Sequence, residues 1–103
     1  AVSYKINDMI IDPGFGFAKD LKQNYDLLSN IDLLKILDKP IMVGISRKSM
    51  IYQSLKTNAK ESLNGTTVLN TVSLIKGASI LRVHDVKEAN ECIKLINALN
   101  KQG

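Results

Sequence analysis

Three polar segments of this sequence hold the residues that could do chemistry. The first runs from Asp12 to Asp20 and reads DPGFGFAKD. Pro13 pushes Asp12 towards an extended backbone, which aims its carboxylate out of the end of a strand. Gly14 and Gly16 let the chain turn sharply or approach a ligand closely. Phe15 and Phe17 are the only phenylalanines, and both lie in this loop. An aromatic residue in such a loop can cover a flat ligand. The plainer reading is an Asx-turn at Asp12, with both rings anchoring the loop. The second segment, GISRKSM, runs from Gly44 to Met50. Its Ser46, Arg47, Lys48 and Ser49 supply two cations and two hydroxyls, a set that suits an anionic or carbonyl-rich ligand. A solvated basic turn with a serine cap would look the same. The third, ILRVHD, runs from Ile80 to Asp85. Strand alternation puts Arg82 and His84 on one face. An arginine at an apolar strand end, two residues from the only histidine, points to an anion site. The alternative is an ion pair for Arg82 and a half-buried, satisfied His84.

The elements that must position these segments are legible in the apolar pattern. Met9-Ile10-Ile11, Ile41-Met42-Val43 and Ile80-Leu81 with Val83 are short Ile- and Val-rich runs, continuous rather than alternating. Such runs read as parallel strands buried on both faces. Each polar segment follows one of them. From Asp20 to about Leu37 apolar residues recur three or four apart, at Leu21, Tyr25, Leu28, Ile31 and Leu34. This predicts one helix capped by Asp20, with Pro40 discouraging its continuation. A second helix is predicted from Asn58, boxed by Glu61, to Gly77 as the residue after its end. A third is predicted from Asp85, boxed by Glu88, through Leu99. Lys48 to Leu55 suits a short extra helix.

Strand, helix, strand, helix, strand, helix is the order of right-handed βαβ units. Two architectures fit: a small doubly wound sheet, or three units of a (β/α)8 barrel, which typically takes ~250 residues. In both, function sits at the carboxyl ends of the strands. The chain has 103 residues, begins with Ala1 and would leave two sheet edges uncovered. The expectation is one partial domain over residues 1–103, with the remainder lying upstream.

Composition narrows the function classes. The fractions of apolar and charged residues, 45% and 23%, are those of a globular domain. No apolar run approaches the ~18 residues of a membrane span, and there is no signal-peptide pattern. One Cys precludes an internal disulfide and any multi-cysteine metal site, and Cys92 reads as a buried structural thiol. No phosphate-binding glycine loop, nucleophile elbow or zinc cluster is present. The net charge is +4, and Lys39, Arg47, Lys48, Lys56 and Lys60 form a stretch without an acid. No aromatics interleave with it, so the expectation is no nucleic acid and no membrane, in a bacterial-type cytoplasm.

DPGFGFAK, VGISRKSM and ILRVHDV, in this order and at this spacing, resemble the C-terminal part of the dihydropteroate synthases over almost the whole chain, from about Asp8 to Leu99. The resemblance implies an α/β fold: strands six to eight of a (β/α)8 TIM barrel. It implies the condensation of (7,8-dihydropterin-6-yl)methyl diphosphate with 4-aminobenzoate, giving dihydropteroate and diphosphate in folate synthesis, in a class of enzymes that sulfonamides target. By resemblance, Asp12 accepts hydrogen bonds from the pterin ring N–H and exocyclic amine, Lys48 donates to the pterin carbonyl and ring nitrogen, and Gly44 leaves room for the flat ring. Phe17 stands beside the aminobenzoate and Ser49 near its carboxylate. Arg82 and His84 bind the diphosphate. No residue is implied as a general acid or base. Mg²⁺ is implied on the diphosphate, with its protein ligand outside this chain, and the whole enzyme is implied to be a homodimer. Tyr52 stands where relatives often have Gly, and Ser62 where many have Arg; both are expected on the helical side, away from the strand ends. The chain alone is expected to be inactive. The alternatives are a non-catalytic pterin- or phosphate-binding module, a barrel that moves a methyl group from a folate, and a flavodoxin-like phosphate binder.

Overall fold

The computed structural model describes residues 5–6, 10–16 and 19–102. Three strands lie side by side in parallel. β2 (Ile11–Asp12) meets β3 (Met42–Val43) through a single bridge between Ile11 and Ile41. β3 in turn pairs with β4 (Ile80–Leu81), with Met42 opposite Ile80 and Val43 opposite Leu81. The Ile11 N–H donates to the Pro40 carbonyl and the Arg82 N–H to the Val43 carbonyl, each at 2.9 Å. An element not read from the sequence, β1 (Lys5–Ile6), runs antiparallel to β2. Two residues are too few to show a period. Met9, in the first predicted run, lies outside the described residues.

Helices follow the strands: α1 (Leu21–Ser29) after β2, α2 (Ser49–Ser54) and α3 (Leu63–Ile75) after β3, and α4 (Val86–Gln102) after β4. The short helix near Lys48 is therefore present as α2. Asp20 caps α1: its Oδ1 accepts the Gln23 N–H at 2.7 Å, and the Gln23 Oε1 accepts the Asp20 N–H at 2.9 Å. Asp20→Ala removes the side-chain half of this exchange and leaves the backbone N–H of residue 20 to Gln23. It is expected to cost about 1 kcal/mol in a urea titration, with Asp20→Asn close to wild type. Gly77 follows the end of α3 at φ +118, and the Ala78 N–H closes back on the Ser73 carbonyl at 2.9 Å. That is the Schellman ending.

Three predicted features are corrected. The helix from Asp20 to Leu37 is broken at Asn30, and residues Ile31–Leu37 wind as a 3-10 helix. The Asn30 side chain donates to the Asp26 carbonyl at 2.8 Å. Such a side chain competes locally with the helical ladder. The helix expected from Asn58 begins only at Leu63. Asn58 caps a separate 3-10 turn (Ala59–Glu61), accepting the Glu61 N–H at 3.1 Å. The third correction concerns burial. Ile11, Ile41, Val43 and Ile45 are essentially inaccessible and pack with Leu27, Leu28, Ile31, Met50 and Ile51. The opposite face is open: Met42 is half-buried and its partner Ile80 is 36% exposed. Among the described residues, helices cover only one face of the sheet.

Candidate functional site

The open face carries the site. Asp12, Gly44 and Arg82 each follow a residue of the covered face, so strand alternation places all three on the open one. The Arg82 guanidinium lies across Gly44 towards Asp12, with Nη1 3.9 Å from Asp12 Oδ2. A Cβ on Gly44 would stand 2.7 Å from Arg82 Nη2 and 3.0 Å from Nε. Glycine is what lets the guanidinium cross the strand. Asp12 also forms the Asx-turn, its Oδ1 accepting the Gly14 N–H at 3.0 Å. The turn and the outward carboxylate are thus compatible: one oxygen serves each.

Lys48 enters from the neighbouring loop. Its Nζ donates to the Phe15 carbonyl at 2.6 Å, and its stem runs beside Gly16. Burial, and then the Arg82 charge, hold the Lys48 ammonium below its ordinary pKa of 10.5, against the opposing pull of Asp12. The loop that receives Lys48 is fixed from α1. The buried Asn24 side chain accepts the Gly16 N–H at 2.9 Å, and the Lys19 Nζ donates to the Gly14 carbonyl at 3.0 Å. Sequence reasoning missed Asn24, which differs from any surface asparagine only by its long-range partner.

Phe15 is buried in the core, so for this ring the anchoring reading holds. Phe17 lies outside the described residues. Ser49 opens α2 and lines an open depression of about 530 Å³ together with Phe15, Gly16, Lys48, Tyr52 and Arg82. Tyr52 therefore faces the strand-end residues, not the far helical side, because it sits one turn after Lys48, the residue that precedes α2. Ser62 is fully buried, its hydroxyl donating to the Ala59 carbonyl at 2.6 Å.

The two remaining polar residues of the third segment are held from the second. Ser46 Oγ lies 2.8 Å from His84 Nδ1 and accepts the His84 backbone N–H at 3.2 Å. Arg47, read as a second cation for a ligand, lines the depression but has its guanidinium committed to the protein. Nε and Nη2 donate to the two carboxylate oxygens of Asp85 at 2.9 and 3.0 Å, and Nη1 to the Ala59 and Lys60 carbonyls at 2.8 Å each. The predicted box of Asp85 with Glu88 is not made, since Arg47 engages the Asp85 carboxylate. Hydrogen bonding from Arg47 holds that carboxyl below its ordinary 3.8, overcoming the effect of burial.

This pair has a pH signature. A carboxyl lowered in the folded state stabilises it above the ordinary value and ceases to do so as pH falls through the folded one. The urea midpoints of wild type and Arg47→Ala are therefore expected to differ at neutral pH. The gap should narrow as pH falls below 3.8, leaving the part due to the carbonyl contacts. A gap that is constant with pH would refute it.

A carboxylate, a lysine and an arginine gather at the carboxyl ends of parallel strands, the place where α/β folds carry their ligand sites. Residues 2–84 match the pterin binding enzyme family, and the chain belongs to it. It is 42% identical to the dihydropteroate synthase of Escherichia coli over 87% of this chain and 32% of that protein. It is equally similar to the dihydropteroate synthase of a Streptococcus pyogenes strain, over 90% of this chain and 36% of that one. The chain thus spans about a third of the length of these relatives. Among solved structures, a Yersinia pestis dihydropteroate synthase with a pterine-sulfa conjugate superimposes with a TM-score of 0.88 at 38% identity. That match covers 91% of this chain and 37% of the other. The Thermus thermophilus enzyme in complex with 6HMPPP gives 0.82 at 35% identity, over 87% and 37%. The relatives are TIM-barrel transferases, and the α/β chain has the fold of part of them.

Proposed function

We propose that this chain forms strands six to eight, with their helices, of a (β/α)8 dihydropteroate synthase, and that residues 1–103 are one partial domain of that barrel. One observation carries the reading. Asp12 and Arg82 meet across Gly44 at the strand ends, with Lys48 close enough to Arg82 for its pKa to be lowered. A carboxylate, a lysine and a guanidinium thus converge on one open rim.

In the reaction, the bond between the pterin-bearing methylene and the diphosphate oxygen breaks, and a bond from that carbon to the arylamine nitrogen forms. The amine loses a proton. The electron-rich ring delocalises positive charge, so diphosphate leaves early and no strong general base is needed. The protein holds the leaving group and stabilises its growing charge, the role of Arg82 with His84. It also keeps the amine in line behind the carbon. Asp12 and Lys48 orient the pterin through charge-assisted hydrogen bonds. Gly44, already beneath Arg82, keeps the surface low enough for a flat ring. Phe17 and Ser49 border the aminobenzoate. Tyr52, on the same depression, adds an aromatic wall there.

Magnesium enters this reading only from outside the chain. Among the described residues no three of His, Cys, Asp or Glu gather around one point. Asp12, the carboxylate on the rim, faces a guanidinium instead of a vacant cation position. The described residues therefore do not fit a metal centre, and no step is assigned to the ion. No helix among them is long and apolar enough to cross a membrane. Cytoplasmic location and assembly of the whole enzyme as a homodimer are part of the proposal.

The test compares the 103-residue chain with a full-length enzyme that contains it, assayed for dihydropteroate formation. Turnover is expected only from the full-length protein. Turnover by the chain at a comparable rate would overturn the fragment reading. Absence of turnover from both, with pterin and diphosphate still bound in calorimetry, would favour a binding module.

A further inference from the structure

We propose that Ser46 fixes the tautomer of His84, so that a neutral ring presents Nε2–H to an anion at the strand ends. Ser46 follows β3 and is buried, 5% exposed. Its Oγ meets two atoms of His84, the backbone nitrogen at 3.2 Å and Nδ1 at 2.8 Å. The roles in this pair follow from what each atom can do. A backbone N–H only donates, so Oγ accepts there. The hydroxyl has one hydrogen to place. Among the described residues, His84 Nδ1 is the atom within hydrogen-bond distance of Oγ that is able to accept it. The hydroxyl therefore donates to Nδ1, Nδ1 carries no proton, and the neutral ring holds its hydrogen on Nε2.

The opposite tautomer would put two donors on Oγ and leave a buried O–H without an acceptor. An unsatisfied buried donor costs about 1–3 kcal/mol, enough to decide between tautomers that are otherwise close. The adjacent carboxylate does not compete for the ring. Both Asp85 oxygens accept from the Arg47 guanidinium. One strand end thus orients the other: residues 46 and 47 hold 84 and 85. In the proposed reaction, on which this functional consequence rests, the contact between His84 and diphosphate needs only the Nε2 proton and no second proton on the ring. Arg82 supplies the positive charge, and His84 supplies a directed N–H. Ser46 is a positioning residue that touches no substrate.

His84 is the only histidine, so its ring nitrogens can be read without ambiguity in the ¹⁵N-labelled chain. Long-range ¹H–¹⁵N correlation spectra in mildly alkaline buffer are expected to show Nδ1 bare and Nε2 protonated. Ser46→Ala is expected to relax this towards a mixture of tautomers, and Ser46→Thr, which keeps the hydroxyl, to restore it. A proton on Nδ1 in the wild-type chain would overturn the proposal, as would an unchanged tautomer in a folded Ser46→Ala. If Ser46→Ala does not fold, the wild-type and Ser46→Thr spectra still decide it. Inorganic diphosphate is then added. A shift of the Nε2 signal supports the anion contact. With the tautomer as expected but no shift, it is the reading of His84 as a diphosphate residue that fails.

Discussion

Arg82→Ala is expected to weaken diphosphate binding by about 10- to 100-fold while leaving the fold nearly as stable as before. The size of the loss is that of a hydrogen-bonded charge contact, about 1.5–3 kcal/mol. The small effect on stability follows from geometry. The Arg82 side chain is 54% exposed, and its distance to Asp12 is 3.9 Å, too long for a strong hydrogen bond. Such pairs contribute about 0–1 kcal/mol. Gly44→Ala gives an independent check. The added methyl would stand 2.7 Å from Arg82 Nη2, the far end of a flexible side chain. The guanidinium moves aside and the backbone does not have to. Diphosphate binding by Gly44→Ala should therefore weaken with Arg82 intact, and the double variant should be no worse than Arg82→Ala alone, since both act through one group. Isothermal titration with inorganic diphosphate measures all three. Additive losses would mean that Gly44 acts through something other than Arg82.

Lys48→Met is expected to separate binding from stability even more sharply. Pterin binding should fall by about 10- to 100-fold, the cost of a lost charge-assisted donor. Stability at neutral pH should change by less than about 1 kcal/mol. Burial and the Arg82 charge both disfavour the Lys48 ammonium. Methionine keeps an unbranched stem against Gly16 and relieves that penalty. Among its contacts it gives up the hydrogen bond to the Phe15 carbonyl in return. The sign with pH follows from the lowered pKa. Below the folded value both states hold the proton and the penalty is complete. As pH rises towards 10.5 the folded chain releases its proton first, and the penalty is relieved. Wild type should therefore gain on Lys48→Met through that alkaline window. Urea midpoints of the two chains across it provide the measurement, and parallel curves would contradict the stated environment of Lys48.

The positions of these residues along the chain were legible from local rules. Period-two alternation puts Arg82 and His84 on one face of the last strand wherever that strand lies, whereas the common face of Asp12, Gly44 and Arg82 depends on how the three strands pair. Asp20 caps its helix and Gly77 ends another because caps and left-handed turns depend on residues a few positions apart. The family motifs belong to the same stretches. The break at Asn30 and the late start of α3 were not legible. In both places a polar side chain satisfies a nearby backbone group, an alternative that apolar spacing does not register.

Which partner each polar residue takes was decided only in three dimensions. By type, Arg47 and Lys48 are two adjacent cations of equal promise. Arg47 has a left-handed backbone, φ 54, and its guanidinium engages Asp85, while Lys48 reaches the Phe15 carbonyl. Tyr52 joined the rim because one turn of α2 brings it over Lys48. Ser46 and His84 stand 38 residues apart and meet only because β3 and β4 pair in parallel register. The sequence by itself determined the residue types at each strand end and which residues of one strand share a face, because a strand's alternation is a property of consecutive residues. Only the tertiary structure decided which partner each of them takes. Hydrogen bonds fall off within a few tenths of an ångström, and only the packed sheet sets distances between strands to that precision.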